Sequence, residues 1–311
     1  MNPIEAILAR QSVMVLDGAF GTELERKGYS IKDELWSAKF LMQNPEAIAE
    51  VHADYLKAGA DCITTASYQA SFEGFMKKGL SEEDAKRLIQ SSVFIAKLTR
   101  DAFWQNSALH VKRPKPLVAA SIGPYGAYLA DGSEFRGDYG LDEAGLMAFH
   151  RKRLEALIET EPDILACETI PCLVEAKALC RLLENYPNTL AWMSFSAKDG
   201  THINSGESIK ACAEFLHTQK QIVAIGINCT APQYIESLIE EIKAVCDKPI
   251  IVYPNGGATY NALTKTWDGL CSNASFGKMV YGWYQKGARI IGGCCQTTPE
   301  DIAHIAQWVR G

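Results

Sequence analysis

Eight apolar runs, each followed by a helix-patterned segment, predict an α/β fold, a single (β/α)8 TIM-type barrel domain over residues 1–311. Three observations carry that expectation. The runs are apolar on both faces, as parallel strands covered on both sides must be. Strand-like and helix-like segments alternate from end to end. Polar and sulfur-bearing residues gather at one end of the runs, where strands of a barrel give way to the loops that hold its chemistry.

Val13-Met14-Val15-Leu16 is the first strand and ends in Asp17-Gly18. Asn44-Pro45-Glu46 then opens an amphipathic helix, with Pro45 in the first turn, where its missing N–H costs nothing. Asp61 to Ala66 reads as the second strand, and Ser81-Glu82-Glu83-Asp84 as the capped start of the next helix. Pro116 to Ile122, Asp163 to Cys167, Leu190 to Phe195, Ile222 to Ile227, Pro249 to Tyr253 and Ala288 to Ile291 complete the set. Helical segments separate them, among them Glu143 to Ile158, Leu173 to Leu183, Tyr234 to Val245 and Phe276 to Lys286. Two loops are long enough to be lids or binding loops, Gly123 to Gly140 and Pro254 to Ser275. A doubly wound open sheet is the alternative, but Gly18-Ala19-Phe20-Gly21 has the wrong spacing for a dinucleotide fingerprint.

The net charge is −6 and no basic run stands out, which argues against nucleic acid as a partner. Met1-Asn2-Pro3-Ile4-Glu5 lacks the basic region and apolar stretch of a signal peptide, and no run approaches membrane-spanning length. A cytoplasmic protein without a membrane partner is expected. In a reducing compartment the ten cysteines are expected to pack or to bind metal, with Cys62, Cys180, Cys212 and Cys246 as plain core or surface residues.

Three cysteines stand apart. Cys229 ends the sixth strand and Cys294-Cys295 end the eighth, close across one intervening strand of a barrel. No histidine lies in either segment. Three thiolates and one vacancy match a zinc site with an open position. Spacing alone leaves a packed pair or a vicinal disulfide as the competing reading. Thr230-Ala231-Pro232-Gln233 and Thr298-Pro299-Glu300-Asp301 read as helix caps, whose partial positive charge favours thiolate. Three thiolates on Zn²⁺ leave a net charge of about −1, which those helix ends would offset in part.

Asp17-Gly18-Ala19-Phe20-Gly21-Thr22, Glu168 after Cys167, Gly226-Ile227-Asn228-Cys229 and Gly292-Gly293-Cys294-Cys295 together resemble the zinc-dependent homocysteine S-methyltransferases over nearly the whole chain. Asn228 to Pro232 and Ser121 to Leu129 look like the S-methylmethionine-using branch in particular. The resemblance implies one homocysteine-binding barrel domain and one Zn²⁺ on Cys229, Cys294 and Cys295. It also implies methyl transfer from S-methylmethionine, or S-adenosylmethionine, to L-homocysteine, giving methionine. A free thiol has a pKa of about 8.5, so roughly 3% is thiolate at neutral pH, and zinc coordination would supply the rest. Asp17 and Glu168 would bind the homocysteine ammonium, with backbone amides near Gly18. Asn228 would orient the cysteine loop, since amides are poor zinc ligands beside thiolates. A sulfonium calls for an acidic or aromatic wall, for which Phe20, Trp36, Tyr68, Tyr125 and Tyr128 are candidates. Betaine is the alternative donor. A zinc hydrolase, and a thiol-redox or metal-binding protein, are the competing classes.

Overall fold

Period-two alternation along the strands builds two cores at once. In the computed structural model, which describes residues 2–31, 33–105, 113–257, 259–261, 266–268 and 273–311, eight parallel strands form one sheet. They are β1 (Met14–Val15), β2 (Cys62–Thr64), β3 (Leu117–Ile122), β4 (Ile164–Ile170), β5 (Ala191–Phe195), β6 (Ile222–Asn228), β7 (Ile250–Tyr253) and β8 (Ala288–Ile291). Neighbours follow chain order, with β8 beside β1. Met14, Leu16, Cys62, Ala119, Ala166, Trp192, Ala224, Ile251, Tyr253 and Ile290 share one buried cluster inside the ring. Ile4 and Ile7, from the short helix Pro3–Leu8, join that inner cluster and cover its lower end. The alternate residues Val15, Ile63, Val118, Leu165, Cys167, Met193, Ile225 and Val252 face outward into a larger core under the helices.

The outer layer is α1 (Pro45–Ala58), α2 (Glu82–Trp104), α3 (Glu143–Ile158), α4 (Leu173–Leu183), α5 (Ile209–His217), α6 (Ile235–Lys243), α7 (Asn273–Lys286) and α8 (Pro299–Arg310). Local chemistry sets their starts. Asn44 and Ser81 accept from the third residue on, at Ala47 and Asp84, as the sequence predicts. Thr298 and Asp301 form a reciprocal capping box with Pro299 behind it.

The ring closes between β1 and β2 with one bridge, Leu16 to Cys62, and the bonds Asp17 N–Cys62 O (3.1 Å) and Asp61 N–Val15 O (2.6 Å). A fully buried carboxylate reinforces this seam. Asp61 Oδ2 accepts from Val15 N at 3.0 Å and from the Gln11 amide, while Arg310 reaches Oδ1 at 2.5 Å and Arg113 stands 3.6 Å away.

Three sequence expectations need correction. β4 does not stop at Cys167 but runs to Ile170, so Glu168 is an inward-facing strand residue and not the first residue of a loop. β2 ends at Thr64, two residues earlier than expected, because Thr65 turns its hydroxyl to Ser67 and the Ser121 amide. Thr230 caps nothing: its hydroxyl donates to Asn228 O and accepts from Ala197 N, and a 3-10 turn at Pro232–Tyr234 precedes α6. Of the long loops, residues 123–140 contain a helix, Tyr125–Leu129, and a 3-10 turn, Ser133–Phe135. Much of the Pro254 to Ser275 segment lies outside the described residues; within it Thr259–Asn261 pairs antiparallel with Thr266–Asp268.

Candidate active site

At the C-terminal ends of the strands the inner face turns polar. Ser121, Glu168, Ser194 and Asn228 continue the inward rows of β3, β4, β5 and β6, all buried. Asn228 is the hub. Its Oδ1 accepts from Thr169 N and Ser194 Oγ, both at 2.7 Å, and its Nδ2 donates to Thr169 Oγ1 at 2.7 Å. Tyr253 extends the chain of bonds, with its hydroxyl 2.6 Å from Ser194 Oγ and 3.1 Å from Trp192 Nε1. Thr169 (φ 60) and Cys229 (φ 50) both take the left-handed conformation, which costs a non-glycine residue about 1–2 kcal/mol. Asn228 ties the first of these residues to the strand end that carries the second.

The three predicted thiols converge. The sulfur atoms of Cys229, Cys294 and Cys295 all lie within 4.8 Å of one another, and Cys229 Sγ is 3.8 Å from Cys295 Sγ. The end of β7 laces the two segments together. Cys229 N donates to Tyr253 O (3.2 Å), Cys294 N to Pro254 O (2.8 Å) and Gly256 N to Cys295 O (2.8 Å). Hydrogen bonds from Cys229 and Cys295 hold the Cys294 thiol well below its usual range, while donation to Cys294 pushes Cys229 well up.

This donor set fits a zinc ion. Tetrahedral zinc with Zn–S bonds of about 2.3 Å places its sulfurs about 3.8 Å apart. The spacing of Cys229 and Cys295 matches, and no histidine or carboxylate joins the cluster among the described residues. The cluster can therefore hold a metal through three thiolates. Cys62, Cys180, Cys212 and Cys246 are buried free thiols away from it, as expected.

Asp17 and Glu168 are 5% and 8% exposed. Asp17 Oδ2 accepts from the Thr64 amide (2.7 Å) and hydroxyl (3.0 Å), and Ser121 Oγ donates to Glu168. Burial pushes Asp17 up to about 8 and Glu168 up to about 7, with the charge of Cys294 adding to the second. Gly18 allows close packing: a Cβ there would sit 2.9 Å from the Tyr55 ring and 3.0 Å from Thr297 Oγ1. The neighbouring Ala19 amide is already taken by Thr297 Oγ1 at 3.1 Å.

The candidate aromatics divide. Tyr68 reaches the thiols closely enough to feel the charge of Cys229 and of Glu168, and Trp36 stands edge-on to it with centroids 6.4 Å apart. Phe20 packs on His52. Tyr125 and Tyr128 gather with Tyr139 and Phe149, and Lys77 Nζ covers Tyr128 at 4.4 Å, so that ring already faces a cation of its own chain. Sequence reasoning missed Glu134, on the 3-10 turn of the 123–140 loop, which receives a 3.1 Å hydrogen bond from Tyr68 and whose charge reaches Cys295. No local pattern announces it, because its neighbours at the site come from other strands.

A TIM-type barrel with a cluster of three thiols at the C-terminal ends of β6 and β8 defines a class of barrel proteins with a site that could bind a metal. The family model for homocysteine S-methyltransferase matches residues 14–309. The chain is 58% identical over 310 residues to the homocysteine S-methyltransferase YbgG of Bacillus subtilis, covering 100% of this chain and 98% of that one. The homocysteine methyltransferase MmuM of Escherichia coli superposes in its metallated form with a TM-score of 0.89 and in its oxidized form with 0.90. Each is 43% identical and covers 99% of this chain and 100% of that one. The chain belongs to the homocysteine S-methyltransferase family.

Proposed function

We propose that this protein transfers a methyl group from S-methylmethionine to L-homocysteine, with one Zn²⁺ held by Cys229, Cys294 and Cys295, the whole chain serving as one homocysteine-binding barrel domain. The observation that carries the reading is the three-sulfur cluster, in which the 3.8 Å spacing of Cys229 and Cys295 suits zinc and to which no fourth donor is added among the described residues. Zinc held by these cysteines would supply the positive charge that lowers the pKa of the homocysteine thiol.

The chain's own residues do the rest. Asp17 and Glu168, facing one another's charge across the strand ends, bind the homocysteine ammonium. Ser121 and Thr64 orient those carboxylates. Asn228 keeps the Cys229 segment in its left-handed turn. The methyl carbon forms a bond to homocysteine sulfur as its bond to the donor sulfonium breaks, and the electron pair stays on the departing sulfur. The leaving group is neutral methionine, so no general acid is required. No Lys or Arg forms a salt bridge with Asp17 or Glu168 among the described residues, which suits their binding the homocysteine ammonium. Free thiols throughout the described residues suit a reducing compartment, the cytoplasm. Among the described residues, no helix is long and apolar enough to cross a membrane.

Methionine formation from homocysteine tests the reading, with S-methylmethionine, S-adenosylmethionine and betaine supplied in parallel to zinc-loaded protein. Turnover is expected with S-methylmethionine, and Cys229→Ala, Cys294→Ala or Cys295→Ala should each remove zinc and turnover together while the barrel stays folded. Preference for betaine would reassign the donor; full turnover in any one cysteine variant would break the three-ligand assignment.

A further inference from the structure

We propose that Glu134 is the carboxylate that recognises the positive sulfur of the methyl donor, forming with Tyr68 and Trp36 the wall opposite the homocysteine-binding acids. The inference rests on the donor reading above and assigns it a residue. Two acids, Glu168 and Glu134, feel the charge of Cys294. Glu168 lies on β4, inside the ring, with Asp17 near it after β1, while Glu134 comes on the loop after β3. Its charge and that of Cys294 act on each other, and its Oε2 accepts from Tyr68 Oη at 3.1 Å. Tyr68 in turn feels the charge of Cys229 and Glu168, so the Tyr68–Glu134 pair is coupled electrostatically to the sulfur cluster.

No cation neutralises Glu134 among the described residues. Arg136, two residues on, turns to Asp131 at 3.8 Å. A half-buried acid facing a thiolate cluster, with an aromatic donor on one oxygen and no basic partner, is an arrangement that favours a permanent cation. Burial pushes its carboxyl up to about 7 against the pull of the Tyr68 hydroxyl, a penalty that a bound positive charge would relieve. The loop is built to seat it. A Cβ on Gly126 would lie 2.3 Å from Glu134 N and 2.6 Å from its Cα, so the glycine lets the 3-10 turn settle onto the helix Tyr125–Leu129. Asp131 Oδ1 accepts from Ser133 N at 2.8 Å and fixes the approach to that turn. Transfer of the methyl group turns the sulfonium into a neutral thioether, so the attraction to Glu134 falls away as methionine forms and product leaves without carrying it.

The test compares two ligands that differ at sulfur by one methyl and one charge. S-methylmethionine and methionine are titrated into zinc-loaded protein without homocysteine, using wild type, Glu134→Gln and Glu134→Asp, with zinc content measured in each. Glu134→Gln should weaken S-methylmethionine at least about 10-fold and change methionine less than about 2-fold, the expected range for losing one charge-assisted contact. Glu134→Asp should recover part of the loss. Equal losses for both ligands would make Glu134 a packing residue of the loop and overturn the proposal, as would no loss for either. Wild type that binds S-methylmethionine through Glu134 yet gives no methionine would defeat the donor reading and leave this assignment standing.

Discussion

Asp17 and Glu168 show how much the lumen changes an ordinary carboxyl. Each is buried with one or two donors and, among the described residues, no cation in a salt bridge with it, and burial raises both, to about 8 and about 7. Unfolding returns them to 3.8 and 4.5, so the folded metal-free chain binds more protons across the interval. Its stability is therefore fully present below those lower values and is lost as pH rises toward 7 and 8. Urea midpoints of metal-free protein should fall between about pH 5 and pH 8, and Glu168→Gln should flatten the lower part of that fall. Equal slopes in the two proteins would show that Glu168 does not titrate in this range. In the zinc-loaded enzyme the same variant should raise the homocysteine KM roughly 10- to 100-fold, as loss of a charge-assisted contact does, with zinc content unchanged. An unchanged KM would remove Glu168 from the substrate site.

The strand ends are where sequence reading and structure part company. All eight strands were legible, because β-branched apolar runs such as 288–291 and 250–253 have few other uses in a chain this regular. The end of β4 was not. Glu168-Thr169 looks like a loop, yet Asn228 on β6 supplies the amide and hydroxyl partners that let the strand continue to Ile170. Thr230 looked like a helix cap for the same reason that Thr298 does, but its hydroxyl bonds back to Asn228 O and only Thr298 caps. The three cysteines were legible because two of them are adjacent and all three end apolar runs. Glu134 was not, since its approach to the thiols depends on how the 123–140 loop folds over β2. Asn228→Ala should strand the Thr169 amide and cost about 1–3 kcal/mol for that buried group left unpaired, while the Ser194 hydroxyl keeps Tyr253 as a partner. Denaturant unfolding measures that loss; an unchanged midpoint would mean that water replaces the asparagine.

At the scale of the whole molecule the barrel is a ring with one thin joint. Seven strand pairs carry ladders, while β1 and β2 meet through a single bridge and the buried Asp61. Asp61 binds Val15 of β1, Gln11 before it, and Arg310 at the end of α8, so one carboxylate links both ends of the chain to β2. Asp61→Ala leaves Arg113, 6% exposed, without its counter-ion and should destabilise the fold by about 3–5 kcal/mol, the cost of breaking a buried pair. A loss under about 1 kcal/mol would place the closure in the backbone bonds alone. The ring matters to the candidate site because the thiol cluster spans it: Cys229 follows β6, Cys294 and Cys295 follow β8, the end of β7 laces them, Asp17 follows β1 and Glu168 lies on β4. The measurement that bears most directly on this account is methionine formation from homocysteine and S-methylmethionine, before chelation, after it, and after zinc is restored. The account predicts turnover that stops on chelation and returns with about one zinc per chain. Turnover that persists in fully metal-free protein would contradict it.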